Sequence, residues 1–545
     1  MAARQYLFAL SALLLGCFDP GEGIEPPAEK VYFPVGLAVD DTGSFLYIAN
    51  SDFDLQYNAG TLQSWDLAAL RERLPRNCKA DADCLDGTFC DLEPTAENGG
   101  IPGNSCVAAD GPTFGEPCGV FGEREPREKL LYPGRCGNIH PAAPQDGGSP
   151  ILSDDVQIGA FATDVIYRRR PDGVPGEGRV FVPVRGDATL HWADVDNGGL
   201  ECGQGGNDGA CDDLHRAGDD PDLENTRDLR LLPEPFALDA TEDAREIMVT
   251  NQTSGAVSLF MHDWQEGPRL EFAVTGLPTR PVGIASVPAP LHAGAAGLLN
   301  HPGFLVTFRD SANVILVRVY DDASSDPIRP YARAVSSTSI AANSVGIDSR
   351  GIAIDSSVRK AAESECATLY AVTPECVADV ACLAETPPEY KECLENAAAI
   401  PLDLFVSNRA PASLLVGQSR SVFNAAWTDD LPAFNTSVPL SLGPSRVVVG
   451  EVTNPDGELE RRVFVVCFDS RRVFIYDPVR HRMEAEVITG RGPHALTLDA
   501  AHGLAYVGHF TDSFVGVISL DQRFPDTYAT IVATVEAPQA PRASK

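Results

Sequence analysis

Apolar residues in this chain come in short runs that alternate with polar ones, and the runs end at Gly, Pro, Asn or Asp. A period of two, in segments rich in Val, Ile, Phe and Tyr, predicts β-strands separated by tight turns. The order of the runs repeats. A first strand enters at Pro34-Val35-Gly36-Leu37-Ala38-Val39-Asp40, a second follows at Leu46-Tyr47-Ile48-Ala49-Asn50, and a third at Gly60-Thr61-Leu62-Gln63-Ser64-Trp65-Asp66-Leu67. The succession returns at Pro235-Phe236-Ala237-Leu238-Asp239, Ile247-Met248-Val249-Thr250-Asn251 and Gly255-Ala256-Val257-Ser258-Leu259-Phe260. It returns again at Pro493-His494-Ala495-Leu496-Thr497-Leu498-Asp499, Ala505-Tyr506-Val507-Gly508-His509 and the run from Phe514 to Asp521. Looser copies start near Thr163, Pro281, Gly351 and Pro444. Their second strands are Val180-Phe181-Val182, Phe304-Leu305-Val306-Thr307, Leu404-Phe405-Val406-Ser407-Asn408 and Val463-Phe464-Val465.

A unit of about 40 to 50 residues with three or four such strands cannot bury both its faces alone, so copies must stack side by side. Seven copies over residues 31–536 predict an all-β fold, a seven-bladed β-propeller with Cys-rich insertions. A six- or eight-bladed ring is the alternative, because two copies carry long insertions that obscure the count. The Tyr/Phe-Val-x-Asn second strands and the first strands ending in Asp resemble the YVTN-type repeat family of seven-bladed propellers. The resemblance covers most of residues 31–536 and is tightest in the first, third and seventh copies. Some related propellers are lactonases, so the resemblance permits an enzyme, but no residue set here matches a lactonase site closely enough to carry over.

The cysteines add an address. Cys78, Cys84, Cys90, Cys106, Cys118 and Cys136 form one group, Cys202 and Cys211 a second, and Cys366, Cys376, Cys382 and Cys393 a third. Each group is even and lacks the close CxxC pairs of a zinc site, which predicts disulfides formed in an oxidising compartment. The insertions at 76–150, a Cys-rich module, and 359–400, read as a helical hairpin, are too small to build cores of their own and need such staples. At the start, Arg4 and the apolar stretch from Tyr6 to Leu15 form a targeting segment too short to span a bilayer. It ends in Leu14-Leu15-Gly16-Cys17, which resembles the bacterial lipoprotein signal motif, the lipobox. That resemblance implies cleavage before Cys17, a diacylated thiol there, a signal peptide over 1–16, a Pro/Gly/acid tether over 17–30 and anchorage in a bacterial cell envelope. Phe18 rather than Asp follows Cys17, which by the sorting rule for lipoproteins points to the outer membrane. Cys467 lies inside an apolar strand and is expected to be a free buried thiol, so twelve of the 14 cysteines are left for six disulfides. Residues 537–545 read as a tail.

The formal net charge of -35 repels nucleic-acid phosphates, and no nucleic-acid partner is expected. No GxSxG elbow, HExxH, P-loop, dinucleotide fingerprint or CxxCH haem site occurs, so no cofactor is expected. The repeat register does gather polar residues. Asn50, Asn251, Asn408, Cys467 and His509 share the position that ends the second strand. Arg185, Arg309 and Arg409 follow it, and Arg280, Arg350, Arg446 and Arg491 stand at the entries to first strands. On a propeller both positions lie on one rim of the channel, which predicts guanidinium groups suited to a carboxylate or phosphate. The plainer reading is that these arginines pair with strand-end Asp residues. Cys467, His509 and His494 are close in register, but buried loop histidines beside a thiol are expected rather than a metal site. Asp81, Asp83 and Asp86, and separately Asp194, Asp196 and Asn197, gather oxygens without the EF-hand spacing, so solvated acidic loops are expected there. The tripeptide Arg185-Gly186-Asp187 is treated as a chance match.

These readings lead to one functional expectation: an envelope lipoprotein using its propeller as a binding or scaffold platform. Its partner would be the membrane, through Cys17, together with an anionic glycan, a carboxylated cell-wall fragment or a protein partner in the envelope. The alternative is a propeller-type lactonase or hydrolase with a loop-assembled, metal-dependent site.

Overall fold

One stretch in each repeat buries most or all of its residues and lies between two neighbours: Phe45–Asn50, Gly178–Val184, Glu246–Asn251, Gly303–Phe308, Leu402–Ala410, Leu459–Cys467 and Leu504–His509. A strand is apolar on both faces only where both faces are covered. Each of these is the second strand of a blade, clamped between its two neighbours. The computed structural model describes residues 23–536 except 75–77, 85–87, 92–104, 109–137, 143–149, 204–208, 226, 289–300, 323–328, 341–346, 374–375, 377–381, 383–384, 424–427 and 526. Within them the chain forms a seven-bladed β-propeller.

Counting strands outward from the channel, blade 1 is Pro34–Val39, Phe45–Asn50, Gly60–Asp66 and Leu152–Ile158. Blade 2 is Ile166–Arg169, Gly178–Val184, Thr189–Asp196 and Gly199–Glu201, with Arg216–Ala217 also pairing to the third strand. Blade 3 is Pro235–Ala240, Glu246–Asn251, Ala256–Asp263 and Gly267–Val274. Blade 4 is Pro281–Val287, Gly303–Phe308, Asn313–Asp322 and Arg329–Ser339. Blade 5 is Ile347–Asp355, Leu402–Ala410, Ala412–Phe423 and Thr428–Pro439. Blade 6 is Pro444–Thr453, Leu459–Cys467, Arg472–Asp477 and Arg482–Ile488. Blade 7 is Pro493–Asp499, Leu504–His509, Phe514–Ser519 and Ile531–Val535.

The core is divided as the ring is. Each junction between blades holds its own apolar cluster, such as Leu46, Ile48 and Trp65 of blade 1 against Tyr506, Val515 and Val517 of blade 7. Each fully buried Leu, Ile or Val in such a cluster stabilises the ring by roughly 1.5–3 kcal/mol. The junction between blades 7 and 1 joins the two ends of the sequence, and it carries extra ties. Arg71 reaches the buried carboxylate of Asp499 at 3.0 Å. From the blade 1 insertion, Asn138–Ile139 adds a parallel strand to the outer edge of blade 7, pairing with Thr534 and Val535. Ile139 is buried in the same cluster.

Disulfides fasten the excursions. They join Cys78 to Cys90, Cys202 to Cys211, Cys366 to Cys393 and Cys376 to Cys382. Cys84 is also disulfide-bonded, whereas Cys467 is free and buried. Cys366–Cys393 ties two helices, Ser357–Leu369 and Pro388–Ala398, which share a small cluster built on Tyr390 and Leu394. Cys17 and the segment around it lie outside the described residues.

The first strands crowd one another around the channel. A Cβ on Gly283 would stand 2.0 Å from the backbone oxygen of Arg350 in the next blade. A main-chain atom held in a neighbouring strand cannot step aside. Gly283→Ala is therefore expected to destabilise the fold by about 1–3 kcal/mol, read as a lower urea midpoint with an unchanged slope.

Candidate functional site

The rim where first strands begin and second strands end repeats one backbone feature. Phe33, Glu234 and Arg280 adopt positive φ immediately before the first strands of blades 1, 3 and 4, as do Gly443 and Gly492 in blades 6 and 7. In blade 2 Phe161 does so just before Ala162, which bridges to Val184, and in blade 5 Asp348 does so at the start of the strand itself. Glycine suits this conformation best, because a Cβ there crowds the backbone. Five blades nevertheless place a side chain at it. The carbonyl of this residue accepts the amide of the residue just past the second strand, as Phe33 does from Ser51, Arg280 from Arg309 and Gly492 from Phe510. The channel mouth is therefore lined by two seven-fold positions, one at the entry and one at the exit.

Arginines fill or flank these positions in blades 2, 4, 5 and 7, whereas blade 3 places Glu234 and Gln252 there. Arg185 bonds Glu234 at 2.8 Å and Arg491 bonds Asp512 at 2.8 Å. Arg280 lies 3.5 Å from Asp310. Asp348 serves two partners, with Arg350 donating to it at 3.1 Å and Arg309 lying 3.7 Å away, and Arg409 pairs with Asp469. Burial pulls the Arg350 guanidinium below its usual range, and Arg309 and Arg409 add repulsion while Asp348 opposes the shift. Blades 4 and 5 thus bring four guanidiniums to the mouth with Asp310, Asp348 and Asp469 as the paired carboxylates.

Arg446 does something different. It belongs to blade 6, yet both its terminal nitrogens lie 2.9 Å from Oδ1 of Asp164 in blade 2. The equivalent position on the other blades is held by Gly36, Ala237, Gly283, Gly351 and Ala495. A single ion pair therefore crosses the lumen through space that five small residues leave open. Burial pushes the Asp164 carboxyl up, and Arg446 works against that rise.

The asparagines take the shared position at the second-strand ends but face inward. Asn50 accepts from the Tyr32 amide and donates to Thr61, Asn251 donates to the Leu232 carbonyl, and Asn408 donates to the Pro411 carbonyl. His509 is buried against Phe514 and accepts from the Gly490 amide, and burial holds its pKa down at about 3. These four groups fasten the backbone beneath the rim. Burial raises the Cys467 thiol to about 12, so it stays protonated. His494 is held at about 4 by burial and by Arg446. Among the described residues no three His, Cys, Asp or Glu side chains gather as metal ligands. Asp194 is engaged by Arg179, Asp81 accepts the Cys90 amide, and Asp86 lies outside the described residues. In Arg185-Gly186-Asp187 the carboxylate is held by Thr189 and His191.

The sequence reading missed an aromatic arc on the same rim. Phe161 of blade 2, Phe53 and Phe33 of blade 1, Phe510 of blade 7 and Phe468 of blade 6 follow one another with ring centroids 5.1 to 6.5 Å apart. His494 joins it beside Phe468 and Phe510. The signal was present in the repeat register, since four of the five rings occupy the same two rim positions as the arginines. A separate cavity of about 510 Å³, lined by Asp154, Glu177, Asp194, Asp196 and Glu201 with Arg170, sits on the outer strands of blades 1 and 2.

No family model matches the sequence, and no curated protein matches it either. Solved structures share its course at low identity. The chain is similar to Kuenenia stuttgartiensis hydrazine synthase, at 10% identity and a TM-score of 0.43, over 92% of this chain and 99% of that one. It is similar to a putative 6-phosphogluconolactonase from Bacteroides uniformis, at 12% identity and a TM-score of 0.39, over 84% and 86% of the two chains. Saccharomyces cerevisiae Sqt1 aligns at 7% identity and a TM-score of 0.41, over 91% and 84%.

Proposed function

We propose that this chain is a lipid-anchored envelope protein of the YVTN-repeat type that binds an anionic ligand at the mouth of its channel. The observation that carries the reading is the guanidinium-rich arc of blades 4 and 5, where Arg280, Arg309, Arg350 and Arg409 share three carboxylates in a chain of net charge -35. A cationic patch kept against so strong an overall charge concentrates anions locally. Partial neutralisation by Asp leaves the forks fixed in place, so a carboxylate or phosphate meets donors already oriented. A metal-dependent hydrolase would need carboxylates gathered with one another. Asp310, Asp348, Asp469 and Asp512 each hold an arginine instead.

Replacing Arg309 and Arg409 together with alanine is expected to weaken binding of carboxylate ligands at least tenfold and to flatten the salt dependence of what binding remains. Titration of both proteins with the same carboxylate panel at two ionic strengths checks this, and equal affinities would sink the proposal. The anchor has its own test. The protein expressed in a diderm bacterium is expected to fractionate with the outer membrane and to take up labelled fatty acid. Cys17→Ser is expected to lose the label and to appear in the soluble fraction.

A further inference from the structure

The mouth has two unlike halves. From blade 6 through blades 7 and 1 to blade 2 runs the arc Phe468, Phe510, Phe33, Phe53 and Phe161, while blades 4 and 5 carry Arg280, Arg309, Arg350 and Arg409. The arginines on the aromatic side, Arg185, Arg446 and Arg491, are each held by a carboxylate. Resting on the reading that this mouth is a ligand site, we infer that its ligand is an apolar carboxylate: an aromatic or acyl body that lies on the phenylalanines and one carboxylate head that reaches the guanidiniums.

Three observations carry this. Phenylalanine offers no hydrogen-bonding tip, unlike Tyr or Trp. A sugar could lay only its C–H face on this arc, and its ring-edge hydroxyls would find no polar tip among the phenylalanines to bond, so the arc favours a fully apolar body. That narrows the class of anion. Second, Phe33 and Phe161 hold φ of 45° and 62° at the position where blades 6 and 7 use Gly443 and Gly492. Bulky side chains in that conformation are strained, and such strain persists where the placement of the side chain is used. Third, the arc extends beyond what the junction between blades 7 and 1 needs. Phe33 and Phe510 pack across that junction, whereas Phe53 is 51% exposed and Leu55, two residues on, is 59% exposed. Exposed apolar side chains on a loop that meets the rim phenylalanines stabilise the blade little, and they are available to a ligand at the mouth.

The test uses the full chain and three probes: 4-phenylbutyrate, its alcohol 4-phenylbutanol, and galacturonate. Saturation-transfer NMR followed by calorimetric titration is expected to show 4-phenylbutyrate binding at least tenfold more tightly than either of the others. Phe53→Ser, an exposed site whose change spares the fold, is expected to weaken 4-phenylbutyrate at least fivefold. Arg309→Ala with Arg409→Ala is expected to bring it down to the level of the alcohol. Galacturonate binding more tightly than 4-phenylbutyrate, with no response to Phe53→Ser, would overturn the inference and leave the anionic mouth standing. Binding of none of the three would overturn both.

Discussion

Replacing Arg179 with methionine is expected to lower the stability of the propeller by about 3–5 kcal/mol, because it strands several polar partners at once. Arg179 begins the second strand of blade 2 and is buried, with its guanidinium over Trp192 at 4.1 Å and near Trp264 at 5.4 Å. It donates to both oxygens of Asp194, at 2.8 and 3.0 Å, and to the carbonyls of Asp263 and Trp264 in blade 3. It also lies 2.7 Å from Nε2 of His262, which must accept and so must be neutral. Methionine fills part of the volume but leaves His262 and two carbonyls without their donor. Lysine keeps the charge and loses the planar fork, so Arg179→Lys is expected to recover less than half of the loss. The pH dependence supplies a second readout. Burial and the nearby Arg179 hold His262 at about 3, below its ordinary value of 6.5. The unfolded chain then binds the extra proton between these values, so stability is present above about 6.5 and is lost as the pH falls towards 3. Without Arg179 this acid sensitivity is expected to shrink. Chemical unfolding at pH 7.5 and pH 5 measures both effects, and a loss under about 1 kcal/mol at pH 7.5 would show that the tryptophans hold the junction unaided.

Breaking the ion pair across the lumen is expected to have the next largest effect, about 3 kcal/mol for Arg446→Ala. The loss comes from the partner left behind. Asp164 has a side chain only 11% exposed, and its carboxyl is already pushed up by burial. With Arg446 gone only the Val165 amide still opposes that burial, and the repulsion from Asp239 remains. The folded state would then hold its proton more tightly than the unfolded chain does, so part of the lost stability should return on acidification. Asp164→Asn in the Arg446→Ala background removes the stranded charge and is expected to recover most of the loss at pH 8. A double variant no more stable than the single one would show that the pair contributes through contacts other than charge.

The blades were legible because a strand clamped on both faces must be apolar on both faces. Runs such as Leu46-Tyr47-Ile48-Ala49-Asn50 and Ala505-Tyr506-Val507-Gly508-His509 therefore announce themselves, and the turn residues between them mark the copies, although the two long insertions left six or eight blades open beside seven. That the cysteines would form disulfides within their groups was equally readable from their even numbers, while which cysteine joins which was not. Contacts between distant blades were not. Nothing in the neighbourhood of Arg446 names Asp164, which lies 282 residues away in sequence and comes close only because the ring closes. The aromatic arc escaped for a related reason. Its phenylalanines sit in different blades among ordinary core residues, and only the repeated rim position shows that they stand together. The asparagines misled in the other direction, because a shared register position says which face a residue belongs to and not whether its amide turns towards solvent or backbone.

If Cys17 carries the proposed lipid, the start of the chain bears on which way the ring would look. The Ile24 carbonyl accepts the Asn58 amide at 3.0 Å, in the loop that carries Phe53, and Gln63 holds the carbonyls of Ala28 and Lys30. The leader thus leaves blade 1 beside the mouth. With lipid on Cys17, as proposed, five residues lie between the lipidated residue and Gly23, a reach of at most about 20 Å at full extension. The mouth would then open towards the membrane surface across a gap too thin for another folded domain. Molecules that partition into lipid and diffuse along it would then have the phenylalanine arc within reach.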